Sequence, residues 1–175
     1  MKANELPIIN FLQSLPLLKS NIIKKLDIKI YGNGKEEETL KKFVKNNNLL
    51  KTVKFYNFFK SSDVYKCFKK ADLLVLPSSK EPWGLVVNES IYYGVPVLCM
   101  DSVGAAKDLI VNYKNGFLMK KNDSDEIAKH INQIFWNKHI KKKNLNFFGK
   151  KYLARKLYSF ENTKNKLIKL IDMGN

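Results

Sequence analysis

Two carboxylates with seven residues between them, Glu81 and Glu89, are the residues of this sequence best placed to do chemistry. An ionised carboxylate accepts hydrogen bonds through both oxygens, so it can hold both hydroxyls of a diol. Between the two, Gly84-Leu85-Val86 begins a run without a breaker as far as Tyr93. A helix starting there presents free backbone N–H groups to phosphate or sugar oxygens. Glu89 then lies one turn into the helix, at the same mouth as Glu81. The chemistry that fits is recognition of a hydroxyl-rich, phosphate-bearing ligand.

The elements that must position these residues can be read on either side. Leu73-Leu-Val-Leu76 is a short apolar run stopped by Pro77 and two serines, and Val95-Pro-Val-Leu-Cys-Met100 is a second. Both read as strands buried on two faces. In the intervening helix Val87 and Ile91 share a face at i, i+4. Strand, loop, helix, strand over this length requires parallel strands. Glu81 then sits just past the carboxyl end of the first strand, where open α/β sheets hold their ligands.

The stretch Asp72 to Gly104 resembles the donor-binding half of GT-B glycosyltransferases of the family 4 type. Glu81 and Glu89 match that family's paired glutamates, with Trp83-Gly84-Leu85 and Gly94-Val95-Pro96-Val97 in register. Ser90 and Tyr92 depart from it, standing where the family has small alanines. The resemblance implies that Glu81, the catalytic candidate, contacts the hydroxyls of the transferred sugar. It implies that Gly84 and Leu85 donate N–H groups to sugar and diphosphate, and that Glu89 binds the nucleotide ribose. The plain alternatives are a surface carboxylate beside Pro82, an ordinary helix start and a first-turn glutamate favoured by the helix dipole.

Gly32 and Gly34, in Gly32-Asn-Gly34, are either a bare turn or a lining of the donor cleft. Asn57 and Phe58 follow a strand near the implied position of the base, and core packing serves Phe58 as well. Lys2 corresponds to a family lysine that neutralises the diphosphate, although a solvated terminal lysine is the plainer reading. The arginine that accompanies it in the family has no counterpart. Asp123-Ser-Asp125 mimics a metal motif but precedes a helix, which points to capping. His130 and His139 lack ligand spacing. The expectation is therefore a nucleotide diphosphate sugar as substrate, with no cofactor and no metal.

Length and composition bound this reading. The 175 residues, 45% hydrophobic, make one core-forming domain. No run reaches the length of a membrane span and the first residues form no signal peptide, so a cytoplasmic protein is expected. Cys67 and Cys99 lie in apolar patterns and read as reduced thiols. The net charge of +16 fits an anionic membrane surface or a lysine-rich coding bias; nucleic acid ranks lower because no such motif is present.

In chain order, a helix is expected from Asn4 to Leu18, with Pro7 in its first turn and Pro16 ending or kinking it. A strand Leu26–Tyr31, the glycine turn and a helix from Lys35 to about Asn46 follow. Next come a strand Val53–Tyr56 and a helix capped by Ser61 or Ser62 that ends near Lys70. Beyond the central unit a helix opens at Gly104 or Ala105 and runs to about Val111. A strand Phe117–Met119 and a helix from Asp123 or Ser124 to Trp136 complete the domain. The tail, about 138–173, reads as basic, aromatic-rich helices, either folded back on the domain or covered by a partner or membrane.

The fold class is α/β, doubly wound, with a Rossmann-like parallel sheet flanked by helices. The resemblance covers roughly residues 2 to 160 and matches the second of two domains. The acceptor-binding first domain has no counterpart, nor has the strand that precedes the first helix in the family. The implied function is retaining transfer of a hexose to a saccharide or lipid-linked acceptor in polysaccharide-type biosynthesis, on the inner face of the membrane. Two alternatives remain. One is a truncated or split-gene module that binds donor or a separate acceptor-domain chain without transferring. The other is a basic membrane- or nucleic-acid-binding protein.

Overall fold

Pro7 opens the first helix of the computed structural model, which describes residues 7–57, 64–111 and 113–136. The fixed φ of proline suits a first helical turn. This helix, α1 (Pro7–Ser14), stops two residues before Pro16. A helical Pro16 would clash with the carbonyl one turn back, so the chain tightens into a 3₁₀ turn over Leu15–Leu17 instead. Phe11, Leu12, Leu15 and Leu18 are buried, and Ile9 is partly so. Leu6 and the start expected at Asn4 lie outside the described residues.

A single helical turn, α2 (Ser20–Ile23), precedes β1 (Ile28–Tyr31). α3 (Glu37–Asn46) carries Leu40 and Val44 inward at i, i+4 and returns the chain to β2 (Val53–Tyr56), parallel to β1. α4 (Val64–Lys70) leads to β3 (Leu74–Leu76), α5 (Leu85–Tyr92) and β4 (Val97–Met100). α6 (Gly104–Leu109), β5 (Gly116–Met119) and α7 (Ser124–Trp136) complete the described chain. The serines expected to cap α4 and the tail helices lie outside the described residues.

The strands are parallel and helix-flanked, as expected of a Rossmann-like domain. They form two sheets, β1-β2 and β3-β4-β5, rather than one. One core serves both: Val97, Leu98, Cys99, Phe117 and Met119 join Leu12, Leu15, Val44 and Val53 in a single buried cluster. α1 packs on both α3 and α7, so it spans the two sheets.

The two central apolar runs differ from each other. β4 is buried at every position, as a strand covered on both faces must be. Leu74, Val75 and Leu76 of β3 are only partly buried. This corrects the expectation for that strand. The reason is topological: among the described residues β3 pairs only with β4, and its other edge has no strand.

Both cysteines are free. Burial, with Asp101 as a lesser cause, pushes the Cys99 thiol up to about 12, which keeps it neutral and inert. Asp123 Oδ1 accepts the Glu126 N–H at 2.8 Å at the start of α7, so this carboxylate is a cap.

Candidate functional site

Apart from Glu89, which lies one turn into α5, each described candidate residue follows the carboxyl end of a parallel strand or begins the helix after it. Gly32 follows β1, Asn57 follows β2, and the segment from Pro77 to Gly84 joins β3 to α5. In the last of these the loop is fastened to the β4–α6 connection. The Gly104 N–H donates to the Glu81 carbonyl (3.3 Å) and the Ala105 N–H to the Trp83 carbonyl (2.8 Å). Ser102 Oγ donates to the Ser79 carbonyl at 3.2 Å. Trp83 Nε1 donates to Asn88 Oδ1 at 3.1 Å, which ties the loop to the helix it introduces.

Two glycines permit this arrangement. Gly84, the residue capping α5, has φ 88° and ψ 63°, a left-handed conformation costly for any residue with a Cβ. A Cβ there would lie 2.9 Å from Val103 Cγ1 and 3.2 Å from Glu81 Cγ. The Glu81 side chain therefore lies against the start of α5. At Gly104 a Cβ would stand 2.0 Å from the Pro82 carbonyl oxygen, so only glycine lets α6 approach the loop.

No side chain caps α5. The Val87 N–H turns back to the Gly84 carbonyl at 2.8 Å. The N–H groups of Leu85 and Val86 precede the first turn's acceptors and remain available to an anion, assisted by the positive end of the helix dipole. Leu85, 70% exposed, and Glu89, also exposed, are four residues apart on one side of the helix. Glu81 is half-buried. The structure thus gathers Glu81, Gly84, Leu85 and, one turn on, Glu89.

The remaining candidates stand elsewhere. Gly32 has φ 122°, which only glycine adopts readily, and its N–H donates to the Tyr56 carbonyl at 2.9 Å. Gly34 has open space where a Cβ would be. Both lie in the connection that follows β1, and the exposed Asn57 follows β2. Tyr31 and Tyr56 stack at 5.1 Å between ring centroids just before Gly32 and Asn57. Lys2 and Phe58 lie outside the described residues.

The two departures in α5 are accommodated. Ser90 is fully buried, but its Oγ donates to the Val95 carbonyl at 2.9 Å, so no polar group is left unsatisfied. Tyr92 points outward at 67% exposure, edge-on to Tyr93. Sequence reasoning missed Asn88, Ser102 and the clamp at Gly104. A helix that opens on glycine, the poorest former apart from proline, was the available signal for close approach of another backbone.

A family model described as glycosyl transferases group 1 matches residues 7–152. The chain belongs to that family. An uncharacterized glycosyltransferase of Haemophilus influenzae is 30% identical over 114 residues, 65% of this chain and 32% of that protein. Anabaena HepE in complex with UDP-glucose superposes with a TM-score of 0.75 at 19% identity, over 94% of this chain and 44% of that one. The C-terminal domain of the group 1 protein LpcC from Francisella tularensis superposes at 0.69 and 20% identity, over 85% of this chain and 78% of that domain. At such identity the likeness is one of fold: the Rossmann-like domain of GT-B glycosyltransferases. The group 1 chain described here spans about a third of the length of the Haemophilus relative.

Proposed function

We propose that this chain is the donor half of a group 1 glycosyltransferase and holds a nucleoside diphosphate sugar at the Glu81–Glu89 loop and helix. The observation that carries the reading is the clamped loop. Gly84 turns left-handed and Gly104 closes on Pro82, so the Glu81 side chain lies beside the uncapped start of α5. A carboxylate for hydroxyls then adjoins N–H donors for a diphosphate, and Glu89 follows one turn on for the ribose diol. Family membership and the likeness to HepE, whose structure contains UDP-glucose, support the same ligand class.

The proposed reaction is retaining hexosyl transfer, without an obligatory metal, to a saccharide or lipid-linked acceptor at the cytoplasmic membrane face. The bond from the anomeric carbon to the diphosphate oxygen breaks. The acceptor oxygen bonds that carbon on the face from which the diphosphate departs, and the acceptor proton passes to the departing oxygen. The free N–H groups at the start of α5 and the α5 dipole stabilise the charge that develops on the diphosphate, the kind of term that usually dominates catalysis. Calorimetry of the chain against uridine, guanosine and adenosine diphosphate sugars tests donor binding. Weak, saturable heat is expected with one base, and no heat with any donor at millimolar concentration would refute the reading.

A further inference from the structure

The loop before α5 is fastened in two different ways. Toward α6 the bonds are from backbone to backbone: the Gly104 N–H to the Glu81 carbonyl and the Ala105 N–H to the Trp83 carbonyl. Toward α5 a pair of side chains does the work, Trp83 Nε1 donating to Asn88 Oδ1 at 3.1 Å. A helix start is ordinarily tied down by an N-cap side chain that accepts from an N–H of the first turn. Gly84 has no side chain, and none caps α5. The Trp83–Asn88 bond ties the same corner by other atoms. An indole N–H donates and the amide oxygen of Asn88 accepts, so this tether occupies no backbone N–H at the mouth of the helix. It also spans Gly84, the residue type with most conformational freedom. Trp83 stands two residues after Glu81 and Asn88 one before Glu89. The tether therefore joins the neighbours of the two carboxylates.

We propose that Asn88 and Trp83 are positioning residues: their bond sets Glu81 for the sugar portion of the donor and so raises affinity for a nucleoside diphosphate sugar relative to the bare diphosphate. The inference rests on the donor reading given above and adds two residues to it. Glu89 and the free N–H groups belong to α5 and keep their places when the tether is cut. Glu81 belongs to the loop. Its bond from Gly104, at 3.3 Å, is longer than the usual N–H···O distance and holds the loop loosely by itself. Without the tether the Trp83 ring is released, the corner at Gly84 turns more freely, and Glu81 has to be ordered when the sugar binds. That ordering opposes binding. The loss falls on the sugar and spares the nucleotide. A bond of merely structural value would weaken both alike.

The test compares the parent with Asn88→Leu, which removes the acceptor, Trp83→Phe, which removes the donor, their double variant, and Asn88→Asp, which keeps an acceptor oxygen. Trp83 is exposed and Asn88 half-buried, so none of these opens the core. The first readout needs no donor. The chain has two tryptophans, Trp83 and Trp136, and Trp83→Phe assigns the two indole N–H signals in NMR. The Trp83 indole proton is expected to exchange with solvent about tenfold faster in Asn88→Leu than in the parent, the worth of one hydrogen bond, and at the parent rate in Asn88→Asp. The second readout is calorimetry with uridine, guanosine and adenosine diphosphates and their glucose, galactose and mannose conjugates. With the base that binds the parent, Asn88→Leu and Trp83→Phe each lower the ratio of conjugate to diphosphate affinity about fivefold, the cost of ordering one side chain. The double variant falls no further. Asn88→Asp restores the ratio, because its added charge acts on the diphosphate of both ligands and cancels. Equal indole exchange in parent and Asn88→Leu, or an unchanged ratio in Asn88→Leu, overturns this proposal alone. No heat from the parent with any conjugate overturns the donor reading, and this proposal with it.

Discussion

At the scale of single residues, the site depends on atoms that are missing. Gly104→Ala pushes a Cβ to within 2.0 Å of the Pro82 carbonyl, and backbone must move. The expected cost is about 1–3 kcal/mol, read as a lower urea midpoint together with weaker donor binding. Gly34→Ala has open space and no positive φ to forbid it. It is expected to leave the midpoint within about 0.5 kcal/mol of the parent, and an equal loss in both variants would show that the clamp carries no special strain. On the proposed roles, the two glutamates separate by ligand. Glu89→Ala weakens free nucleotide, and Glu81→Ala weakens the sugar portion of the donor, each by about 1.5–3 kcal/mol for a lost charge-assisted hydrogen bond. Calorimetry with the nucleoside diphosphate alone and with its sugar checks this; equal losses on the nucleotide alone would overturn the assigned roles.

At the scale of elements, α7 carries a pH response. Burial, opposed by Glu126 3.7 Å away, holds His130 below the ordinary histidine value of 6.5. The unfolded chain therefore takes up a proton, as pH falls through 6.5, that the folded chain resists. Stability contributed by neutral His130 is present above that range and is lost as pH drops toward the lowered folded value. Thermal unfolding at pH 7.5, 6.5 and 5.5 should show a larger fall for the parent than for His130→Gln; parallel profiles would mean that His130 contributes nothing. The same scale explains α1. Its amphipathic spacing placed Leu12 and Leu15 inward, and Pro16 set its end, because both are local properties of the backbone.

At the scale of the whole molecule, the chain is a group 1 domain that spans about a third of a relative. Holding donor and acceptor together supplies much of a transferase's rate, and no second Rossmann-like half is present among the described residues to hold an acceptor. Donor binding without useful transfer is therefore expected of the isolated chain. A radiolabelled-donor assay with membrane extract as acceptor measures it, and robust transfer by the purified chain alone would disprove the requirement for a second half.

The sequence alone determined the order of strands and helices, since alternation, i, i+4 spacing and Gly/Pro punctuation act over a few residues. The strands Ile28–Tyr31, Val53–Tyr56 and Val97–Met100 were legible in this way, although the first and last begin two residues later than the expected Leu26 and Val95, and so was the Glu81–Glu89 spacing, because loop and helix join the two directly. Tertiary structure alone decided the rest. Gly104 was readable as a helix start, but its contact with Pro82 joins segments far apart in the chain. Leu74–Leu76 has the composition of a covered strand; its exposure depends on which strands flank it. The division into two sheets is likewise a matter of edges. Edges are set by pairing between distant segments, and no local pattern of side chains records them.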